Sequence, residues 1–245
     1  KGWDGLGAFD ANERKLANDL LGFKGHIVFP TSAFDQVLAA KEDSVILGGV
    51  KALNRGMASF CEADSRMYGA AYIPFNFGEE VALKYLREAI ENNFSVILID
   101  TIAPKGCKAF THPDYDIVWQ EVQDSDITIT LHVGADSGWD PVPLSFYNNA
   151  SSVPVHKEGD APRDALAYMG ISYNAELFLA SMIFDGIFER FPHLRIGVVE
   201  LGASWIISWM KHLDQSFRAF RRIQDLSHVK KLPSEYVQKH IKITP

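Results

Sequence analysis

Short apolar runs alternate with helical stretches along this chain, and that rhythm limits its fold more than any other feature. The runs fall at residues 25–31, 67–75, 95–101, 127–134, 195–202 and 239–244. The third, Ser95-Val96-Ile97-Leu98-Ile99-Asp100-Thr101, is apolar almost throughout, as a strand buried on both faces would be. The stretches between the runs are each long enough for the crossover that parallel strands require. The predicted order is a helix, then strand and helix five times over, then a final strand. Two architectures fit that order: an open doubly wound sheet, or six-eighths of a (β/α)8 TIM barrel. No G-x-G-x-x-G or P-loop follows any run, so no dinucleotide or nucleotide cradle marks an open sheet. Polar residues collect at the strand ends, as a barrel mouth needs. The barrel is favoured, as a single domain over 1–245 with its first and last strands expected outside these 245 residues.

The helices are predicted from apolar stripes. Leu16, Leu20 and Leu21 mark one over 12–21. Ile46, Leu47, Val50, Leu53, Met57 and Phe60 mark one over 44–63, and Val81, Leu83, Leu86 and Ile90 one over 79–92. A single helix is expected over 174–191, capped by Asn174 and with Leu177, Ala180, Ile183, Phe184 and Ile187 on its stripe. Others are expected over 203–226 and 233–237.

The run Ile127-Thr128-Ile129-Thr130-Leu131-His132-Val133-Gly134 alternates strictly, with Thr128, Thr130 and His132 on one face. His132 closes that face at the carboxyl end, where parallel α/β proteins build their sites. It suits a ligand or a base, and equally a strand-end histidine bonded to backbone. Asp100 ends the third run, either as a functional carboxylate or as a cap on the next turn. Glu200 ends the fifth, on a face with Ile196 and Val198, as a proton-transfer group or half of an ion pair. Asn76 follows the second run and is taken as a substrate-side residue. Residues 135–173 form a long irregular insertion placed to cover the mouth. Its Trp139, Phe146 and Tyr147 would stack on a ligand or hold the loop down, and its His156 is expected in solvent.

Composition excludes some partners. The net charge of -7 and the lack of a basic stripe argue against nucleic acid. No apolar run reaches membrane-spanning length. Cys61 and Cys107 lack metal-type spacing and are expected to be packing residues in a reduced, cytoplasmic setting.

Several motifs together resemble the amidohydrolase-2 branch of the amidohydrolase superfamily, the group that holds aminocarboxymuconate-semialdehyde decarboxylase and related aromatic-acid decarboxylases and hydratases. They are Ala52-Leu53-Asn54-Arg55 with Phe60-Cys61-Glu62-Ala63-Asp64; His112-Pro113-Asp114-Tyr115-Asp116 with Trp119; Leu131-His132-Val133-Gly134; and Phe188-Glu189-Arg190-Phe191-Pro192-His193-Leu194-Arg195, followed by Val199-Glu200-Leu201-Gly202-Ala203-Ser204-Trp205. The resemblance implies a metal-dependent (β/α)8 barrel in which His132 matches the fifth-strand metal ligand, usually of zinc. The family's His-x-His pair and its last-strand Asp have no counterpart here. Glu200 stands where many relatives carry a catalytic His, and no lysine ends the fourth strand of the family's barrel, which implies one divalent metal rather than two. The implied activity is hydrolysis or non-oxidative decarboxylation of a small, carboxylated cyclic or aromatic substrate. The alternatives are a hydratase or lactonase on the same scaffold, or a metal-free barrel that binds. A homodimer is expected from the same resemblance.

Overall fold

The computed structural model describes residues 5–103, 106–133 and 165–244. Its six strands are β1 (His26–Val28), β2 (Met67–Tyr72), β3 (Val96–Leu98), β4 (Thr128–His132), β5 (Arg195–Val199) and β6 (Ile241–Ile243). Every neighbouring pair is parallel, and the spatial order is the chain order, β1 to β6. A doubly wound sheet reverses its order at a switch point. Here each new strand adds on the same side of the last, which is how a (β/α)8 barrel is wound. The sheet is therefore six strands of such a barrel.

The helices are α1 (Ala11–Leu21), α2 (Thr31–Leu38), α3 (Asp43–Cys61), α4 (Glu79–Glu91), α5 (Asp116–Asp124), α6 (Ala165–Met169), α7 (Tyr173–Phe184), α8 (Ile187–Arg190), α9 (Ile206–Phe220) and α10 (Pro233–His240). They cover one face of the sheet. Ile97, Ile99, Ile129, Leu131 and Val198 point to that face and are fully buried, each worth about 1.5–3 kcal/mol. Gly69 shares it, and a Cβ there would meet Met57 and Cys61 of α3. The opposite parity, Ile27, Tyr68, Ala70, Tyr72, Leu98, Thr130 and His132, lines the inside of the barrel. Ile27 and Tyr68, at its start, remain 39% and 47% exposed.

Several helical expectations need correction. In α1 the leucines are not the buried side: Leu16, Leu20 and Leu21 are exposed, while Ala17 and Asn18 are buried. The buried pair faces the turn before β2, where Asn18 donates to Asp64 at 3.2 Å and Arg66 ties Asp64 to Asp19. The helix expected over 174–191 is two, broken at Gly186, which is left-handed with φ 74°. Asn174 lies inside the first turn of α7 rather than capping it, and Leu177 faces solvent while Phe178, Leu179 and Met182 take the buried side. Lys239 and His240 end α10 instead of starting β6. Cys61 is half-buried against Met57, but Cys107 is exposed and is not a packing residue.

Candidate functional site

The carboxyl ends of β4 and β5 bring together two of the candidate residues, His132 and Glu200. Thr130 fastens β4 to β3, its hydroxyl donating to Ile97 O at 2.6 Å. Two residues on, His132 is buried, 8% exposed. Its Nδ1 lies 2.9 Å from Val133 O. A carbonyl only accepts, so Nδ1 donates, and in the neutral ring Nε2 is the lone-pair nitrogen. The Phe29 ring, just past β1, reaches across the barrel to lie 4.5 Å from the imidazole at 37°. The ring is thus fixed on one side by a hydrogen bond and on the other by an aromatic wall.

Nε2 faces Glu200 Oε2 at 3.3 Å. The expected route to that contact needs correction. Ile196 and Val198 do share a face, but it is the buried, helix-facing one, and β5 ends at Val199. Glu200 is left-handed, with φ 61°, and this turn brings its carboxylate back toward His132. A non-glycine residue there costs about 1–2 kcal/mol, and such strain gathers at functional sites. The turn is tied to β6: Glu200 N–H donates to Thr244 Oγ1 at 3.4 Å, and Thr244 N–H to Val198 O at 3.0 Å.

An imidazole lone pair and a carboxylate oxygen repel unless a proton or a cation lies between them. Nitrogen and oxygen ligands at zinc distances in tetrahedral geometry stand about 3.4 Å apart. The pair fits one side of such an ion. Among the described residues no group of three or more His, Cys, Asp or Glu could hold a metal.

Asp100 is fully buried, and Tyr72 O–H donates to its Oδ2 at 2.5 Å. Burial, and then the facing carboxylate, hold the Tyr72 hydroxyl well above its ordinary pKa, so it stays a donor. Asn54 of α3 grips the Tyr72 backbone twice: Nδ2 donates to Tyr72 O at 2.9 Å, and Oδ1 accepts from Tyr72 N–H at 2.9 Å. β1 pairs with β2 only as far as Gly69, so Asn54 takes up groups that a longer strand would have met.

Asn76 is placed elsewhere. It lines a cavity of about 580 Å³ with Asp43, Glu79, Lys108 and Tyr115. Its buried Oδ1 has no hydrogen bond among the described residues. A second cavity, of about 500 Å³, lies between Thr101 and the α7 residues Leu177 and Phe178. His132 and Glu200 line neither. Trp139, Phe146, Tyr147 and His156 lie outside the described residues.

Other motifs turn out to be architectural. Arg190 joins Asp116 at 3.0 Å and Thr111 O at 3.1 Å, and Glu189 accepts from the Tyr236 hydroxyl. Tyr115 donates to Phe75 O and Trp119 to Phe110 O, both at 2.8 Å. Phe29 and Tyr72 carry no site signal in the sequence, and Asn54 enters only within the Ala52–Arg55 motif, without a role of its own. For Asn54 a signal existed: it is a polar residue between Val50 and Met57 on the apolar side of α3.

No family model matches the sequence, and no curated protein matches it. Solved structures do. An amidohydrolase from Mycobacterium avium subsp. paratuberculosis is 16% identical with a TM-score of 0.79, over 99% of this chain and 59% of its own. A 2,6-dihydroxybenzoate decarboxylase from Rhizobium is 18% identical with a TM-score of 0.69, over 94% and 67%. A 5-carboxyvanillate decarboxylase from Novosphingobium aromaticivorans, complexed with manganese and 4-hydroxy-3-methoxy-5-nitrobenzoic acid, is 21% identical with a TM-score of 0.70, over 96% and 62%. The chain thus has the fold of amidohydrolase-type barrels and of decarboxylases built on them, and spans about three fifths to two thirds of their length. The proteins it resembles in fold are of the kind that its motifs resemble.

Proposed function

We propose that this chain carries part of the active site of a divalent-metal-dependent enzyme of the amidohydrolase type. The observation that supports this most is the His132–Glu200 pair: an imidazole whose Nδ1 is tied to Val133 O, with Nε2 set 3.3 Å from a carboxylate held in a left-handed turn. His132 would hold the metal through Nε2. Zinc is the ion we expect, although imidazole and carboxylate donors also suit manganese, the metal bound in several of the similar structures. When bound, the cation would polarise a substrate oxygen. Glu200, with its side chain 59% exposed, is free to take a proton from substrate and return it. Phe29 keeps water from one face of the imidazole. Asp100, fully buried and held by the Tyr72 hydroxyl, remains the second catalytic candidate, placed to orient a partner.

The substrate we infer is a small aromatic or cyclic carboxylate, and the reaction non-oxidative decarboxylation or hydrolysis. Similar structures named as dihydroxybenzoate and carboxyvanillate decarboxylases support that class. Trp139, Phe146 and Tyr147 of the 135–173 insertion are proposed to meet the ring, and Asn76 to bind substrate from the cavity that it lines. The test is metal analysis of the full chain, followed by assay on dihydroxybenzoates and carboxyvanillate for released carbon dioxide and, with lactones, for ring-opened acid. Carbon dioxide release that stops on chelation is the expected result. A chain that binds no divalent cation refutes the proposal.

A further inference from the structure

Helix α9 carries charge of one sign on its outer side. Trp209, Leu213 and Phe217 face the barrel and are buried. Lys211, Arg218 and Arg222 stand seven and then four residues apart, a spacing that puts them in one row on the helix surface. The row runs past the helix end, because the Arg221 backbone stays right-handed and Gln224 N–H donates to Phe220 O at 2.9 Å. These three residues and Arg221 are exposed, and among the described residues none of them pairs with a carboxylate. The one acid between Ile206 and Ile223 is Asp214, and Ser234 occupies it, its N–H and its hydroxyl both donating at 2.9 Å. Scattered along the sequence, the cations read as no stripe; the helix makes them one.

The dipole of α9 favours Arg218 and Arg221 at its C-terminal end, but not Lys211 in its first half. Arg218 and Arg222, four residues apart, repel each other. In a chain whose net charge is -7, this row is an exception that an anion from outside would relieve. Apolar side chains flank it. Ile207 is 62% exposed towards one end, and Phe220 and Ile223 are 50% and 79% exposed at the other.

We infer that this face of α9 docks on an anionic phospholipid surface, with the cations at the phosphates and the flanking apolar side chains in the acyl boundary. No helix among the described residues is long and apolar enough to cross a membrane, and the contact drawn here lies on its surface. A nucleic acid would meet the cations alone and leave Ile207 and Ile223 in water. A second copy docked on the same face about a twofold axis would set like charge on like. The inference is independent of the metal and of the pair at His132.

The experiment sediments the full chain with vesicles of phosphatidylcholine alone and of phosphatidylcholine mixed with phosphatidylglycerol, at low and at physiological salt. Binding to the mixed vesicles only, weakened by salt, is the expected result. Each cation near such a surface strengthens binding about fivefold, so Lys211→Gln, Arg218→Gln and Arg222→Gln combined should weaken it about 100-fold. Ile223→Ser should weaken it several-fold. Lys24→Gln, Lys41→Gln and Lys84→Gln combined remove the same charge from other exposed positions and should bind as the wild type does. An equal loss in that control makes net charge the cause and overturns the inference. A wild-type chain that ignores the mixed vesicles at low salt also overturns it, and so does one that binds duplex DNA or polyglutamate but no vesicle. If the α9 combination does not fold by circular dichroism, Arg222→Gln, beyond the helix end, decides alone with a loss of about fivefold.

Discussion

Glu200 reaches His132 because its backbone turns in the direction that L-residues avoid, with φ 61°. That choice has a testable signature. Glu200→Gly should relieve the strain, offset in part by the greater entropy of glycine in the unfolded chain, and stabilise the fold by about 0.5–1 kcal/mol in urea unfolding. The same change should abolish turnover. Glu200→Gln, which keeps the shape and removes the base, should lower kcat by about 10²–10⁴-fold. If both variants keep wild-type kcat, the carboxylate is not the proton-transfer group. His132 could be singled out from sequence because a two-residue period fixes its parity. Glu200 stands out in the sequence by its position at the strand end, but the alternation puts it on the buried face of Ile196 and Val198. A single left-handed residue leaves no trace in an apolar pattern. The contacts of Tyr72 with Asn54 and Asp100 are not legible in the sequence, because they join residues 18 and 28 positions apart.

At the scale of elements, strands were legible because parallel strands buried on both sides read as apolar runs, and helices because stripes repeat. What failed was the question of which side of a helix is covered. The leucines of α1 make the stronger stripe, yet the helix packs through Ala17 and Asn18, since Asn18 has Asp64 to meet. The break between α7 and α8 was missed because helical spacing continues across it. Gly186 ends α7 in a left-handed turn, and an added Cβ would stand 2.7 Å from His228 Cδ2, whose ring is held by Phe184 O at 2.6 Å. Gly186→Ala should therefore cost about 1–2 kcal/mol for the backbone alone, and more once His228 is displaced. Chemical denaturation measures it. No loss of stability would mean that the two helices tolerate being joined.

For the whole molecule, acid and metal are the levers. Burial holds His240 below the ordinary histidine value of 6.5, and burial with Arg14 does the same for His26. The unfolded chain then binds more protons than the folded one as pH drops below about 6.5. The stability from these groups is complete above that pH and is lost as pH falls toward their folded values. Asp64, Asp114 and Asp225 are held below 3.8 by their partners, so their share is lost only at lower pH. Melting temperature followed from pH 8 to pH 3 should fall in two stages, and His240→Gln should flatten the first. Metal acts in the other direction. At about 100 times its dissociation constant, a cation that binds only the folded chain adds about 2.7 kcal/mol, a rise in Tm of roughly 5–10 °C. A chelator should remove it and zinc or manganese restore it, and a Tm indifferent to both counts against the site. The Phe29 contact carries a further consequence. Because that ring spans the hollow to rest on the imidazole, the first and fourth strands report on each other, and a shift in the curvature of anything between them changes where Nε2 points.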